Sequence, residues 1–412
     1  MLEGPVTEVD FVHVDVTNAA AVEAAFRKPW PKTTADGEPE PELTVFHTAA
    51  IIRFYERDPS LQPYSDRVNV LGTRNVVEAA RKVGAATLIY TSSGSVGVRR
   101  TRFWLWPWEQ EPDMFVQRID DDETDMPQQH EEFFSNYAVS KRKAETIVRE
   151  ADRAPTARGG VLRTGCVRPG NGIYGPGGDL LVAAHLLRKA NMTWIANTLQ
   201  SFIYVENCSV AHLCYEQRLA ELQRGSANPD VGGQAFCVAD AGPPPTYGEI
   251  YRSLNLLTKG ECTFQTLSCT AMLALATLVE AYYLLRHALL RAPAPLSRLA
   301  KLVPAVSGDI VYLQPSMWAL TQVHLVFDDS RARAAPAAGG LGYNGRVTTL
   351  EGTCKVVVEH TRTGGREQKR IIAGHEAPDV GFALARAEKS VEEVIEKLGA
   401  SPDKPRVAKI QY

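Results

Sequence analysis

The chain is predicted to be an α/β protein built on a doubly wound parallel sheet, with a smaller, mostly helical C-terminal region. Three observations predict this. The first hundred residues read strand–helix–strand–helix–strand, with short apolar strands, the pattern of a sheet covered on both faces. Polar and small residues gather where the strands end: Asp15, His47 to Ala50, and Thr91-Ser92-Ser93. Ligands of such sheets sit beyond the carboxyl ends of the strands. Finally, Tyr137 and Lys141 stand four apart in Asn136-Tyr137-Ala138-Val139-Ser140-Lys141-Arg142-Lys143-Ala144-Glu145, one turn apart on one helix face.

The elements follow in order. Residues 9–16 alternate and are valine-rich, so they read as a strand. Thr17-Asn18 caps an Ala-rich helix over residues 19–27. Residues 29–41 are rich in Pro and Glu and read as a solvated loop. A second strand spans 43–47, a helix 66–83 stops at Gly84, and a third strand spans 87–90. Residues 98–134 form a long insert in which Arg99, Arg100 and Arg102 lead into Phe103-Trp104-Leu105-Trp106-Pro107-Trp108 and then an acidic run. Such a loop caps a pocket, touches a membrane interface, or folds on the body through its aromatics. The helix carrying Tyr137 ends near Asp152, and a strand from Gly160 leads to the Gly/Pro-rich stretch 169–178. Residues 201–205 and 234–239 read as strands flanking a helix over 206–222. Beyond Ala239 the pattern is less regular. Residues 268–290 are the most apolar helical stretch, either an amphipathic helix lying in an interface, with Arg291 and Arg298 toward head groups, or a buried core helix. Residues 335–340 read as a flexible linker and 391–398 as a last amphipathic helix.

Composition bounds the function. The chain has 412 residues, 44% hydrophobic and 23% charged, enough for a sizeable core and two lobes. We divide it at residue 240, into a core over 1–240 and a C-terminal region over 241–412. A net charge of −3 gives no footprint for nucleic acid. Seven dispersed cysteines suit free thiols in a reducing, cytoplasmic compartment, and no Cys/His cluster suggests a metal. The opening residues lack the basic and apolar regions of a signal peptide. No run reaches the roughly 18 uninterrupted apolar residues of a membrane span.

The Tyr137/Lys141 pair carries the chemistry. A free phenol has a pKa near ~10 and moves protons poorly at neutral pH. A cation about 4 Å away contributes roughly 4 kcal/mol at an effective dielectric of ~20, on the order of three pKa units. Lys141 is therefore expected to acidify Tyr137 into the useful range. A Tyr-x-x-x-Lys pair also arises as a surface ring beside a charge, and each strand-end Ser or Asp alone also suits a cap or turn.

Taken together, the motifs resemble an extended short-chain dehydrogenase/reductase, in the 3β-hydroxysteroid dehydrogenase and sterol-4α-carboxylate 3-dehydrogenase group. The matches are Asp15-Val16-Thr17, Val45-Phe46-His47-Thr48-Ala49-Ala50, Asn69-Val70-Leu71-Gly72-Thr73-Arg74-Asn75-Val76, Tyr90-Thr91-Ser92-Ser93, Tyr137 with Lys141, Arg168-Pro169 through Gly177, and Tyr204-Val205-Glu206-Asn207. They run in family order across residues 9–240. The resemblance implies a Rossmann-like fold that binds NAD or NADP and oxidises a 3β-hydroxyl of a sterol-like substrate. It implies Tyr137 as the acid/base, Lys141 on the nicotinamide ribose, and Ser93 on the substrate oxygen, with Ser92 and Thr91 less favoured by register. Asp15 and Val16 would touch the adenine, Ala49 and Ala50 line the cofactor cleft, and Pro169 abut the carboxamide. Asn69 would support the active-site helix through its backbone. A homodimer, and peripheral contact with a membrane such as the cytosolic face of the endoplasmic reticulum, are also implied.

One departure matters. The family opens with a strand, a glycine-rich turn, a helix and a second strand, and Met1 falls just before what resembles the third strand. The fold is therefore expected to be N-terminally incomplete, and the choice of NAD or NADP is not legible. Two alternatives stand beside the sterol reading: the same chemistry on another secondary alcohol or a nucleotide sugar, and a catalytically inactive binding protein.

Overall fold

The computed structural model describes residues 11–28, 42–108, 114–299, 302–306 and 308–365. In chain order come α1 (Ala19–Phe26), β1 (Thr44–His47), α2 (Gln62–Asp66), α3 (Gly72–Val83), β2 (Thr87–Thr91), β3 (Val116–Ile119), α4 (Asn136–Glu150), β4 (Ala154–Pro155) and β5 (Val161–Pro169). Then follow β6 (Ile173–Tyr174), α5 (Ala183–Arg188), β7 (Ala190–Thr193), β8 (Ile203–Tyr204), α6 (Val205–Gln223), β9 (Ala235–Val238), α7 (Tyr247–Leu257) and β10 (Thr263–Thr266). The rest is α8 (Cys269–Arg291), α9 (Leu296–Leu299), α10 (Ser316–Thr321), β11 (His324–Phe327), α11 (Ser330–Arg333) and α12 (Thr349–Thr363).

The central sheet is parallel in the order β1-β2-β5-β9, with β4 antiparallel beside the start of β5. It is wound on both faces. Leu88 and Tyr90 pack with Val76, Val77 and Ala80 of α3 and with Ala144 and Val148 of α4. Ile89 points the other way, into a cluster with Ala211, Tyr215 and Leu219 of α6. This alternation is the period-2 geometry of a strand, and it makes the doubly wound fold a consequence of the apolar strand sequence. Gly84, in the left-handed conformation at φ +77°, closes α3, where a side chain would be strained.

The structure differs from the sequence reading in several places. Residues 11–16 form no strand and have no ladder partner among the described residues. A strand exists only through its hydrogen-bonded neighbour, so alternation alone did not make one, and Phe11 is exposed. The insert is not loop throughout: β3 pairs in parallel with β11, 208 residues further on (Val116↔His324). The expected strand over 201–205 shrinks to Ile203–Tyr204 because α6 starts at Val205. Residues 335–340 are no flexible linker. They form a tight turn between Ala332 and the buried Leu341 and Tyr343, whose backbone N–H groups both donate to the Ala332 carbonyl. Those buried anchors decide the matter over the Ala/Gly composition. The expected loop 29–41 and helix 391–398 lie outside the described residues.

Past β9 the chain returns to the body. Ala332, Leu341 and Tyr343 join the cluster under α6. Ala319, Val323, Leu325 and Phe327 pack with Ala138 and Val139 of α4. Helices α5, α7 and α12 share a further core around Tyr174 and Ile250.

Candidate active site

Helix α4 sets the site. Ser135 caps it by accepting from the Ala138 N–H, and Asn136 locks its first turn. The Asn136 side chain donates to the Asp58 carbonyl (2.8 Å), and its backbone N–H donates to the Glu56 carbonyl (2.7 Å). Tyr137, half-buried, and Lys141, buried, rise from this anchored end. Their counterpart is the end of β2. Ser93 caps the short turn Gly94–Gly97, and its hydroxyl bonds that of Ser95 at 2.7 Å. Ser92 and Thr91 look elsewhere: Ser92 donates to Glu145 (2.6 Å), and Thr91 pairs with His212 (2.7 Å). Of the three hydroxyls, only that of Ser93 bears on Tyr137.

The expected acidification of Tyr137 is not found. Burial pushes the phenol up to about 12, and the neighbouring Ser93 hydroxyl opposes the rise. The reason is where the Lys141 ammonium goes. It donates to the Thr91 carbonyl at 2.6 Å and lies 4.1 Å from the centre of the Tyr90 ring, so its charge is spent on β2. Burial brings Lys141 itself down to about 7. Burial, then repulsion from Lys141, brings the neighbouring His47 to about 3. His47 is thus neutral. Thr73 gives its hydroxyl hydrogen to the Asn69 carbonyl (2.6 Å), so His47 Nε2 must donate to Thr73 Oγ1 (2.9 Å).

Asn69 supports α4 through its side chain, not through the expected backbone contact. It lies in the π-helical turn Arg67–Leu71 that joins α2 to α3. Its amide donates to Ser140 Oγ (2.8 Å) and to the Ile51 carbonyl (3.0 Å), and accepts from the Ile51 N–H (2.8 Å). Ser140 in turn donates to the Tyr137 carbonyl (2.8 Å). A π turn is rare, and such turns cluster at functional sites. Here it carries one amide into both the loop after β1 and the helix bearing Tyr137.

The remaining predicted cofactor residues lie along the sheet rim. Ala49, exposed, and Ala50, half-buried, follow β1. Pro169, buried, ends β5. Asp15 is exposed, and its carboxyl is held below the ordinary range by the Thr17 N–H, which donates to it at 2.9 Å. Val16 is held by the Asn75 amide on its carbonyl (2.9 Å), and its Cγ2 lies 2.8 Å from where a Cβ at Gly72 would stand. Only glycine admits that approach. A cavity of about 580 Å³, lined by Tyr204, Glu206, Cys354 and Lys355 among others, contains none of the predicted residues.

Sequence reasoning assigned no role to Glu145 and Arg168, which form a fully buried ion pair beneath the site. The signal was present: Glu145 continues the four-residue spacing of Tyr137 and Lys141, and Arg168 precedes Pro169.

Comparison with known proteins agrees with this architecture. The model of the 3-beta hydroxysteroid dehydrogenase/isomerase family matches residues 6–259. The 3beta-hydroxysteroid-dehydrogenase/decarboxylase isoform 1 of Arabidopsis thaliana is 27% identical over 340 residues, covering 79% of this chain and 64% of that protein. The decarboxylating sterol-4-alpha-carboxylate 3-dehydrogenase of Candida albicans is 30% identical over 188 residues, 44% of this chain and 46% of that one. Human 3 beta-hydroxysteroid dehydrogenase type 7 is 27% identical over 56% of each chain. The chain therefore spans from 46% to 64% of these relatives' lengths. Among solved structures, UDP-glucose 4-epimerase of Thermotoga maritima shares the fold at 16% identity, TM-score 0.51, covering 88% of this chain and 89% of that one. The family match begins before α1 and runs through α7, across the whole parallel sheet, the rim residues and the Tyr137 helix: the chain belongs to the 3-beta hydroxysteroid dehydrogenase/isomerase family.

Proposed function

We propose that the protein is an NAD(P)-dependent oxidoreductase that oxidises the 3β-hydroxyl of a steroid or sterol. The observation that supports the reading is Ser93 beside Tyr137 at the carboxyl end of β2, with Lys141 of the same helix bonded to the Thr91 carbonyl there, in a chain of this family. We divide the labour at residue 240: the core before it holds the cofactor, and the region after it shapes the substrate side.

The residues present fit the nicotinamide half of the cofactor. Lys141 and Pro169 would hold it there, Ala49 and Ala50 would line its cleft, and Asp15 and Val16 would meet the adenine side. The glycine at position 72 lets Val16 pack directly against α3, which fixes the segment carrying Asp15 and Val16 beside that helix. No glycine-rich turn for a pyrophosphate is found among the described residues. When bound, the cofactor supplies the acceptor for the hydride that leaves the carbinol carbon.

The protein's own groups handle the proton. Ser93 orients the substrate oxygen beside Tyr137. In the reducing direction Tyr137, protonated with its pKa near 12, donates to the carbonyl oxygen. In the oxidising direction it must accept the hydroxyl proton, which requires the Lys141 ammonium to turn from the Thr91 carbonyl toward the phenol. A substrate with a 4-carboxylate would become a β-keto acid, which loses carbon dioxide readily because the new ketone accepts the electrons.

The same reading includes a membrane, such as the cytosolic face of the endoplasmic reticulum, as the source of an apolar substrate. The support is α8, long and apolar enough to cross a membrane by length and composition, with 22% of that window buried. Its exposed apolar stripe and the Trp104–Trp108 aromatics suit a peripheral contact.

Calorimetry of the chain with NAD(H) and NADP(H), followed by turnover of 3β-hydroxysterols, tests the proposal. Micromolar cofactor binding is expected, with Tyr137→Phe lowering kcat by about 10²–10⁴-fold. Absence of binding, turnover of nucleotide sugars alone, or full rate in Tyr137→Phe would each overturn it.

A further inference from the structure

We propose that the buried Glu145–Arg168 pair is a positioning device, which sets the helix bearing Tyr137 and Lys141 against Ser93 and Pro169; the inference rests on the oxidoreductase reading above. Glu145 lies on α4 one turn beyond Lys141 and two beyond Tyr137, on the same face. Its Oε2 accepts from Ser92 Oγ (2.6 Å) and from Arg168 Nε (3.0 Å). Its Oε1 accepts from Arg168 Nη2 (2.6 Å) and from Arg142 Nη1 (2.9 Å). The side chains of Glu145 and Arg168 are both 0% exposed.

The chain neighbours of these partners give the arrangement its meaning. Ser92 immediately precedes Ser93, and Arg168 immediately precedes Pro169. One carboxylate therefore fastens α4, the end of β2 and the end of β5, the three elements that supply the site. Arg168 is tied outward as well, donating to Glu123 (2.8 Å), which also pairs with Arg142 and with Arg149 (2.7 Å).

Stability alone accounts poorly for this. A buried ion pair gains little over well-packed apolar groups, because both charges must first be desolvated. What it supplies is direction: short, charge-assisted bonds with fixed angles. Burial alone would raise Glu145, yet the charge and hydrogen bond of Arg168 hold its carboxyl below the ordinary range. The carboxylate stays ionised and also acts on Lys141, whose other titratable neighbours include Cys166, His47 and the Tyr90 ring.

The test uses Glu145→Gln, Ser92→Ala and the double variant E145Q/R168Q in the 412-residue chain. Ser92→Ala cuts one bond and leaves the ion pair, so it keeps the proposal testable if Glu145→Gln fails to fold. Expected are cooperative melting, a kcat lowered about tenfold or more, and a KM for the alcohol within about twofold of wild type, the signature of misplaced rather than unbound reactants. A second readout needs no turnover. NMR titration of side-chain-labelled lysine, with Lys141→Arg to assign the resonance, should show Lys141 titrating at lower pH in Glu145→Gln, because a carboxylate that favours its charge is gone. Variants that melt at lower temperature but keep kcat and an unmoved Lys141 titration would reduce the pair to a structural role and overturn the proposal. If the wild type turns over no sterol but oxidises another secondary alcohol, with kcat falling and KM held in the variants, the positioning stands and the sterol reading falls.

Discussion

Lys141 carries a conflict that a titration should expose. Burial lowers its folded-state pKa to about 7 from an ordinary 10.5. Between those values the unfolded chain holds a proton that the folded one has lost. Stability therefore rises with pH across that window, and below about 7 the folded state bears the full cost of the buried charge. At about 1.4 kcal/mol per unit this is a few kcal/mol, set against the hydrogen bond to Thr91, worth about 1 kcal/mol. Lys141→Met is expected to be more stable than wild type by roughly 2 kcal/mol near pH 6, with the advantage fading toward about pH 9. Denaturant unfolding at several pH values checks this, and a constant difference would refute it. At this scale the sequence was partly readable. The spacing of Tyr137 and Lys141 put them on one helix face, and the register of Thr91-Ser92-Ser93 singled out Ser93. Which way the Lys141 ammonium turned was not readable, because its acceptor, the Thr91 carbonyl, belongs to a strand 50 residues earlier.

Among the elements, the joint between α2 and α3 concentrates the most consequence in one side chain. Asn69 lies in the π turn and makes three hydrogen bonds, to both backbone groups of Ile51 and to Ser140. Truncation would leave buried partners unsatisfied at a cost of about 1–3 kcal/mol each way. Asn69→Ala is expected to lower stability by roughly 2–4 kcal/mol and to reduce turnover, because Ser140 braces the Tyr137 carbonyl. Gly72→Ala should fail for a different reason: its Cβ would stand 2.8 Å from Val16, so the loss should be relieved by Val16→Ala. A double-mutant cycle in thermal melts measures that coupling, and additive effects would sink the steric account. Elements were legible where one window carried the whole signal, as in α1, α3, α4 and the apolar β1, β2 and β5. They were missed where the partner was remote. Among the described residues the alternating 11–16 have no ladder neighbour, while β3 became a strand only because β11 lies beside it.

The shape of the whole molecule poses the remaining question, which is what covers α8. One side of this helix is fastened to the body. Arg57 clamps Glu280 through two 2.6 Å bonds, and the Tyr283 hydroxyl donates to Glu56 at 2.7 Å. The opposite stripe, Ala271, Leu275, Leu278, Tyr282 and Leu285, is exposed and carries no charge. Leu278 at 68% and Leu285 at 57% are far more open than a monomer's surface requires. The insert joins this side of the molecule: Phe103 packs against Leu273 and Ala276 of α8, and Trp106 and Trp108 beyond it stack 5.3 Å apart while remaining exposed. A helix clamped through a charge on one face is poorly suited to cross a bilayer, whereas an apolar stripe with interfacial tryptophans suits lying in its surface. Each leucine buried in lipid contributes about 1.5–3 kcal/mol, so Leu278→Glu with Leu285→Glu should weaken vesicle binding by about 10²-fold or more. Neither residue packs in a core cluster, so the melting temperature should hold. Flotation with phosphatidylcholine vesicles, with and without anionic lipid, reads the effect directly. Equal flotation of wild type and variant would mean the stripe faces something other than lipid. Loss only at high salt in the anionic vesicles would shift the contact to the exposed Arg291 and Arg298, since ionic contacts are screened and apolar burial is not.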